Sequence, residues 1–190
     1  NLNPFDYHVP NVRLLAQRDE ILWWSQRSGW GHLYRYDAKT GALKNAVTAG
    51  DWTVFDIIRV DEAAGQVYFT AGGREAGRNP YYRHLYRVAL DGGTPKLLTP
   101  EDADHSFINY PARGLNGHWD TPASRFSPSG RYVVDTHSTI ATPPTTVIRA
   151  ADGRLVAKLV EADASALRAT GWTPPERLVA KSSDGKHAIY

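Results

Sequence analysis

The chain has 190 residues, 42% of them hydrophobic and 22% charged, with 22 Lys+Arg against 20 Asp+Glu for a net charge of +2. This ordinary globular composition fits a single domain, and without a block of like charge it argues against nucleic acid or a membrane surface as the main partner. Cysteine is absent, which excludes disulfide frameworks, thiolate zinc sites and a cysteine nucleophile, and no apolar stretch is long enough for a signal-peptide core or a membrane helix.

The chain contains no Met and opens at Asn1-Leu2-Asn3-Pro4, so we expect a fragment of a longer protein, with room for a signal peptide before it. Short segments rich in β-branched and aromatic residues predict strands at 12–16, 21–25, 32–36 and 42–48. A second set follows at 54–60, 66–70, 83–90 and 95–99, and a third at 123–127, 131–138, 145–150 and 155–160. The punctuation recurs with the strands: the last hairpin of each set turns at Lys39-Thr40-Gly41, Asp91-Gly92-Gly93 and Asp152-Gly153. His32-Leu33-Tyr34-Arg35 returns about fifty residues later as His84-Leu85-Tyr86-Arg87, and such a period with four strands per unit points to β-propeller blades.

The expected fold is therefore all-β: a partial β-propeller of about three four-stranded antiparallel blades, at approximately 11–48, 54–99 and 123–160 within a region spanning 1–160. Propellers close with four to eight blades, so three leave open ends with unpaired strand edges. The polar stretch 100–120 is too long for an ordinary link between blades. Residues 161–175 read as one short helix, over 162–170 behind Asp163 and before Gly171, followed by a stiff linker at Trp172-Thr173-Pro174-Pro175. Residues 176–190 read as strand, Asp184-Gly185 turn and strand, the start of a following domain.

Candidate chemistry is sparse. An α/β-hydrolase nucleophile needs a G-x-S-x-G turn, which the chain lacks. Its nearest lookalike, Ser127-Pro128-Ser129-Gly130, lies between two predicted strands and reads as a hairpin turn. Glu101-Asp102-Ala103-Asp104-His105 offers carboxylates to a hard cation but lacks a calcium-loop pattern, and reads as a solvated acidic loop. His118-Trp119-Asp120 could pair an imidazole with a carboxylate, yet has no nucleophile beside it and reads as loop packing. Trp23 and Trp24 are adjacent on a strand, so their rings take opposite faces: one enters the core between blades, and a neighbouring blade or Trp30 covers the other. Trp52 and Trp119, in connections between blades, read as packing, with an aromatic platform for a sugar or peptide as the alternative. Arg35 and Arg87 hold equivalent repeat positions, which favours a structural role.

The run from Trp24 to Asp37, WSQRSGWGHLYRYD, resembles the WxSERDGWxHLYxYD segment of dipeptidyl peptidase IV-like serine peptidases of the prolyl oligopeptidase class. Further pieces fit in order: Thr48-Ala49-Gly50-Asp51-Trp52-Thr53-Val54, then Asn79-Pro80, then Phe126-Ser127-Pro128-Ser129-Gly130-Arg131-Tyr132 with Val134-Asp135-Thr136, and finally Gly171-Trp172 with Pro174-Pro175-Glu176. The resemblance implies the C-terminal part of an N-terminal propeller, joined to an α/β-hydrolase domain that carries the Ser, Asp and His and whose truncated opening would be 176–190. It also implies that the propeller gates access for peptide substrates and holds their amino terminus through two glutamates in a DWxYEE motif. Asp51-Trp52-Thr53-Val54-Phe55-Asp56 is only superficially like that motif and lacks its adjacent acids. The expectation is thus a non-catalytic piece of a dipeptide-removing exopeptidase, with no catalytic, substrate-binding or metal residue assigned, no cofactor, and inactivity when alone. The partners implied are the parent's hydrolase domain and, in the full enzyme, peptide substrates; a homodimer is left open, and the compartment implied is periplasmic or extracellular. Two other readings stay open: a non-enzymatic propeller binding module, and a propeller glycosidase, for which the inner strands offer Asp56 and little else.

Overall fold

A computed structural model describes residues 11–109, 123–176, 178–186 and 188–189. The first sheet runs β1 (Val12–Leu15), β2 (Glu20–Ser25), β3 (His32–Asp37) and β4 (Leu43–Ala46), each paired antiparallel with the next. The second repeats the pattern with β5 (Thr53–Asp61), β6 (Gln66–Gly72), β7 (His84–Ala89) and β8 (Lys96–Leu97). After β9 (Asp104–Ser106) comes a two-stranded hairpin of β10 (Ile108–Asn109) and β11 (Ala123–Ser124), and then β12 (Tyr132–Ser138), β13 (Thr145–Ala150) and β14 (Leu155–Glu161). The third sheet has the order β14-β13-β12-β9. These are three four-stranded antiparallel blades of a partial β-propeller.

The third blade departs from expectation at its first strand. Residues 123–127 do not fill that place; β9 does, with Ser106 opposite Thr136 and His105 opposite His137. Hydrogen bonds identify β9 as the true repeat of β5: Val54 N–H donates to the Gly31 carbonyl at 2.8 Å, and His105 N–H to the Arg83 carbonyl at 3.0 Å. The edge is then shared. Past Ser106 the chain leaves through β10 and returns through β11, after which Phe126 bridges Val133 and the Arg125 carbonyl accepts from Val134 N–H. Asp-His-Ser carries no strand propensity, so the acidic run hid the strand.

Period-two alternation sorts the side chains between blades. Leu22, Leu33, Val67, Phe69, Tyr86 and Val88 are buried together between blades one and two. From the opposite faces of blade two, Ile58, Tyr68 and Leu85 meet Leu98, Phe107 and Val133 against blade three. Blade two is covered on both sides, which is why β6 is buried almost throughout. Each such side chain contributes about 1.5–3 kcal/mol when fully removed from water. Trp24 faces the first of these cores and its indole N–H donates to the Val54 carbonyl at 2.8 Å, while Trp23 on the outer face is 45% exposed and Trp30 43%.

Neighbouring blades are also stitched at their rims. The Asp91-Gly92 turn of blade two meets the end of β4: Asn45 Nδ2 donates to the Leu90 carbonyl at 3.1 Å and Arg35 Nη2 to Asp91 at 2.5 Å. In the same place one blade later, Gly153 lies so close to Leu98 that a Cβ there would stand 2.6 Å from its carbonyl oxygen. At the first hairpin, Arg18 donates twice to the Glu62 carbonyl, at 2.7 and 3.0 Å.

Helix α1 (Ser165–Ala169) is shorter than expected; Asp163 accepts from the N–H and hydroxyl of Ser165, and Gly171 closes the turn with φ +84. The tail forms the expected hairpin of β15 (Ala180–Lys181) and β16 (Ala188–Ile189). Among the described residues no helix is long and apolar enough to cross a membrane.

Candidate functional site

The repeat places a histidine at the start of the third strand of blades one and two, and the two behave differently. His32 Nε2 donates to the Gly50 carbonyl at 2.8 Å, so Nδ1 accepts from the Thr48 hydroxyl at 3.1 Å, whose oxygen in turn accepts Leu33 N–H at 3.0 Å. One tautomer satisfies all three bonds. The Trp52 ring meets the imidazole edge-on at 4.9 Å. In blade two the Thr99 hydroxyl again accepts Leu85 N–H at 3.0 Å, but both ring nitrogens of buried His84 lack a hydrogen-bond partner. The carbonyl equivalent to that of Gly50 belongs to Glu101, and His105 Nε2 meets it instead at 3.3 Å. Burial, then the neighbouring His105, push the His84 pKa down to about 4.

His105 opens a buried polar cluster on the blade-three face that looks toward blade two. Its Nδ1 lies 3.0 and 3.1 Å from the two oxygens of Asp135, which is fully buried. Arg149 donates from Nε to Asp135 at 2.8 Å and from Nη2 to Glu101 at 2.6 Å. His137 Nδ1, two residues along β12 from Asp135, lies 3.6 Å from its Oδ2. Burial raises the Asp135 carboxyl, but the bonds from His105 and Arg149 outweigh it and hold the pKa below the usual range. Burial likewise works against the Arg149 charge, and the two carboxylates overcome it.

The acidic loop of the sequence is therefore not a solvated run. Glu101 holds Arg149, His105 holds Asp135, and Asp104 accepts Arg83 through backbone and side chain at 2.5–2.9 Å; Asp102 alone of these is exposed. His84 and Asp135 entered the sequence reading only as parts of the repeat and of the family motif, and His137 and Arg149 not at all, so none of the four was a functional candidate. The available signal was Asp135 and His137 alternating on one side of a strand whose neighbours are Val133 and Val134. His118, Trp119 and Asp120 lie outside the described residues.

As chemistry, the cluster is a clamp. His105 resembles a base oriented by a carboxylate, yet its second nitrogen meets a backbone carbonyl and not a hydroxyl. Ser127 and Ser129 sit in the hairpin turn, hydroxyl to hydroxyl at 3.1 Å, with Ser127 accepting Tyr132 N–H at 3.2 Å. Trp52 is buried, stacked on Phe69 and Tyr86 at 6.1 and 6.4 Å, so it is packing and not a platform. Asp56 is half-buried and accepts from the Thr70 hydroxyl at 3.4 Å. Arg35 is bound to Asn45, Glu20 and Asp91, the structural role its repeat position suggested, and Arg87 is half-buried.

A family model described as the dipeptidyl peptidase IV (DPP IV) N-terminal region matches residues 5–144. The chain belongs to this family. Dipeptidyl peptidase 4 of Arthroderma otae is 35% identical over 88 residues, which cover 46% of this chain and 10% of the relative. A probable dipeptidyl-aminopeptidase B of Neosartorya fischeri is 41% identical over 73 residues, 38% of this chain and 8% of the relative. Among solved structures, Porphyromonas gingivalis dipeptidyl peptidase 4 superposes with a TM-score of 0.67 at 21% identity, covering 92% of this chain and 22% of that one. A putative dipeptidyl aminopeptidase IV from Bacteroides ovatus gives 0.66 at 20% identity, covering 93% and 25%. The chain thus spans about a tenth of the length of the curated relatives it matches. Within the DPP IV N-terminal family the clamp lies partly inside the matched segment: Glu101, His105, Asp135 and His137 fall within it, and Arg149 just beyond.

Proposed function

We propose that this chain is the C-terminal portion of the propeller of a dipeptidyl peptidase IV-like serine exopeptidase, and that it positions and gates peptide substrates without supplying a catalytic residue. The match of the DPP IV N-terminal region over residues 5–144 carries this reading. The setting of Ser127 and Ser129 supports it, since their hydroxyls are engaged with each other and with the backbone N–H groups of Tyr132 and Arg131 in a hairpin turn. In the parent, a Ser–His–Asp set in the α/β-hydrolase domain would form and hydrolyse the acyl-enzyme, with an oxyanion hole stabilising the tetrahedral intermediate. Residues 161–175 would be the linker and 176–190 the first hairpin of that domain, and the parent would act in the periplasm or outside the cell.

Chromogenic Xaa-Pro and Xaa-Ala dipeptides test the reading. The 190-residue chain alone should give no turnover above buffer, and the parent chain carrying the hydrolase domain should release dipeptides. Turnover by the chain alone, or a parent that releases no N-terminal dipeptides, sinks the proposal.

A further inference from the structure

The clamp between blades two and three gathers two imidazoles and a carboxylate of the kind that ligate metals. Its ligands come from rigid strands: His105 on β9 and His137 on β12 are directly opposed, and Asp135 lies two residues along β12 on the same face. One atom from each lies within 4.8 Å of the others. Measured to the same oxygen, Asp135 Oδ2, His105 Nδ1 lies at 3.1 Å and His137 Nδ1 at 3.6 Å. Tetrahedral bonds of about 2.0–2.1 Å to nitrogen and oxygen separate the ligands by about 3.3 Å, between those two distances.

The hydrogen bonding points the same way. His105 Nε2 faces the Glu101 carbonyl at 3.3 Å and Nδ1 faces the Asp135 carboxylate at 3.0 Å, a place that either a proton or a metal cation can occupy. A proton would meet the need of His105 alone. It leaves His137 Nδ1 buried without a hydrogen bond. Glu101, Asp135 and Arg149, the side chains in direct contact, carry one net negative charge among them, which a cation at this site offsets. The outer groups are those that orient metal ligands: a backbone carbonyl on the far nitrogen of His105, and Arg149 on Asp135 Oδ2.

We propose that His105, Asp135 and His137 bind a first-row divalent cation of the zinc class between the second and third blades, locking one to the other. Two imidazoles and a carboxylate suit such an ion better than calcium or magnesium, which prefer oxygen alone.

The test titrates the chelator-stripped 190-residue chain with Zn²⁺ by calorimetry, and with Co²⁺ by visible absorption as a probe of nitrogen coordination. We expect one ion per chain, about tenfold or greater weakening in His137→Gln and His105→Gln, no change in His32→Gln, and a zinc-dependent rise in Tm in the wild type that His137→Gln lacks. His137 is partly exposed, so its variant is the one least at risk of misfolding. Absence of zinc uptake, or equal uptake by wild type and His137→Gln, overturns the proposal. So does nitrogen NMR that finds both ring nitrogens of His105 protonated in saturating zinc.

Discussion

Arg35 and Arg87 show how far equivalence in a repeat carries. Both follow His-Leu-Tyr, both sit on third strands, and a structural role is the reading their repetition invites. Arg35 fulfils it as the hub of a buried network: it donates to Glu20, to Asn45 and across to Asp91 of the next blade, while Lys44 also reaches Glu20. Removing it leaves Glu20, whose side chain is 6% exposed, with Lys44 as its only charged partner among the described residues. Loss of one partner from a buried pair costs about 3 kcal/mol or more. Arg35→Ala should therefore lower stability to urea by about that amount, and Arg87→Ala, at a half-buried position, by less than about 1 kcal/mol. Equal losses in the two variants would show that the repeat position, and not the network, sets the cost. The clamp was less legible than this hub because His105 and Asp135 are 30 residues apart in sequence and no repeated wording joins them.

At the level of elements, the strands and turns of blades one and two were legible because alternation, β-branched residues and Asp/Gly turns all agreed. Blade three was legible only in part. Its β12, β13 and β14 carry those signals, whereas its first strand is the acidic segment at β9, recognisable only through backbone bonds to blade two. The β3–β4 type turns also differ in a way that sequence does not show. Gly41 and Gly153 both have positive φ, +71 and +95, but a Cβ on Gly41 would meet nothing within 4 Å, whereas on Gly153 it would meet the Leu98 backbone. Gly41→Ala should cost only the left-handed backbone penalty, about 1–2 kcal/mol. Gly153→Ala adds overpacking between blades, for a total of about 3 kcal/mol or more. Urea unfolding of the two variants checks this, and equal costs would mean that the turn of blade three does not bear on blade two.

On the scale of the whole molecule, apolar side chains remain on the two outer faces. Leu14 and Trp23 are exposed on blade one, and Leu155, Val156, Leu159 and Val160 on β14, where Val156 joins Phe126, Val134 and Ile148 along a groove. Patches of this kind drive association. Sedimentation of the 190-residue chain should show weight-average mass rising with concentration, and Val156→Lys with Leu159→Lys should suppress the rise. A constant monomer mass in both proteins would refute the link between these faces and association.

Strand β9 has a consequence for how such a molecule comes together. Every other pairing within the three blades joins consecutive strands, so most of each sheet can form as a local meander. β9 must instead find β12 across an intervening excursion, and one of its amides is already committed to the Arg83 carbonyl of blade two. The edge of blade three is thus presented to it by its predecessor. Chain connectivity, and not only packing, joins the second and third blades, so a version of blade three begun after β9 would be born lacking part of its own sheet.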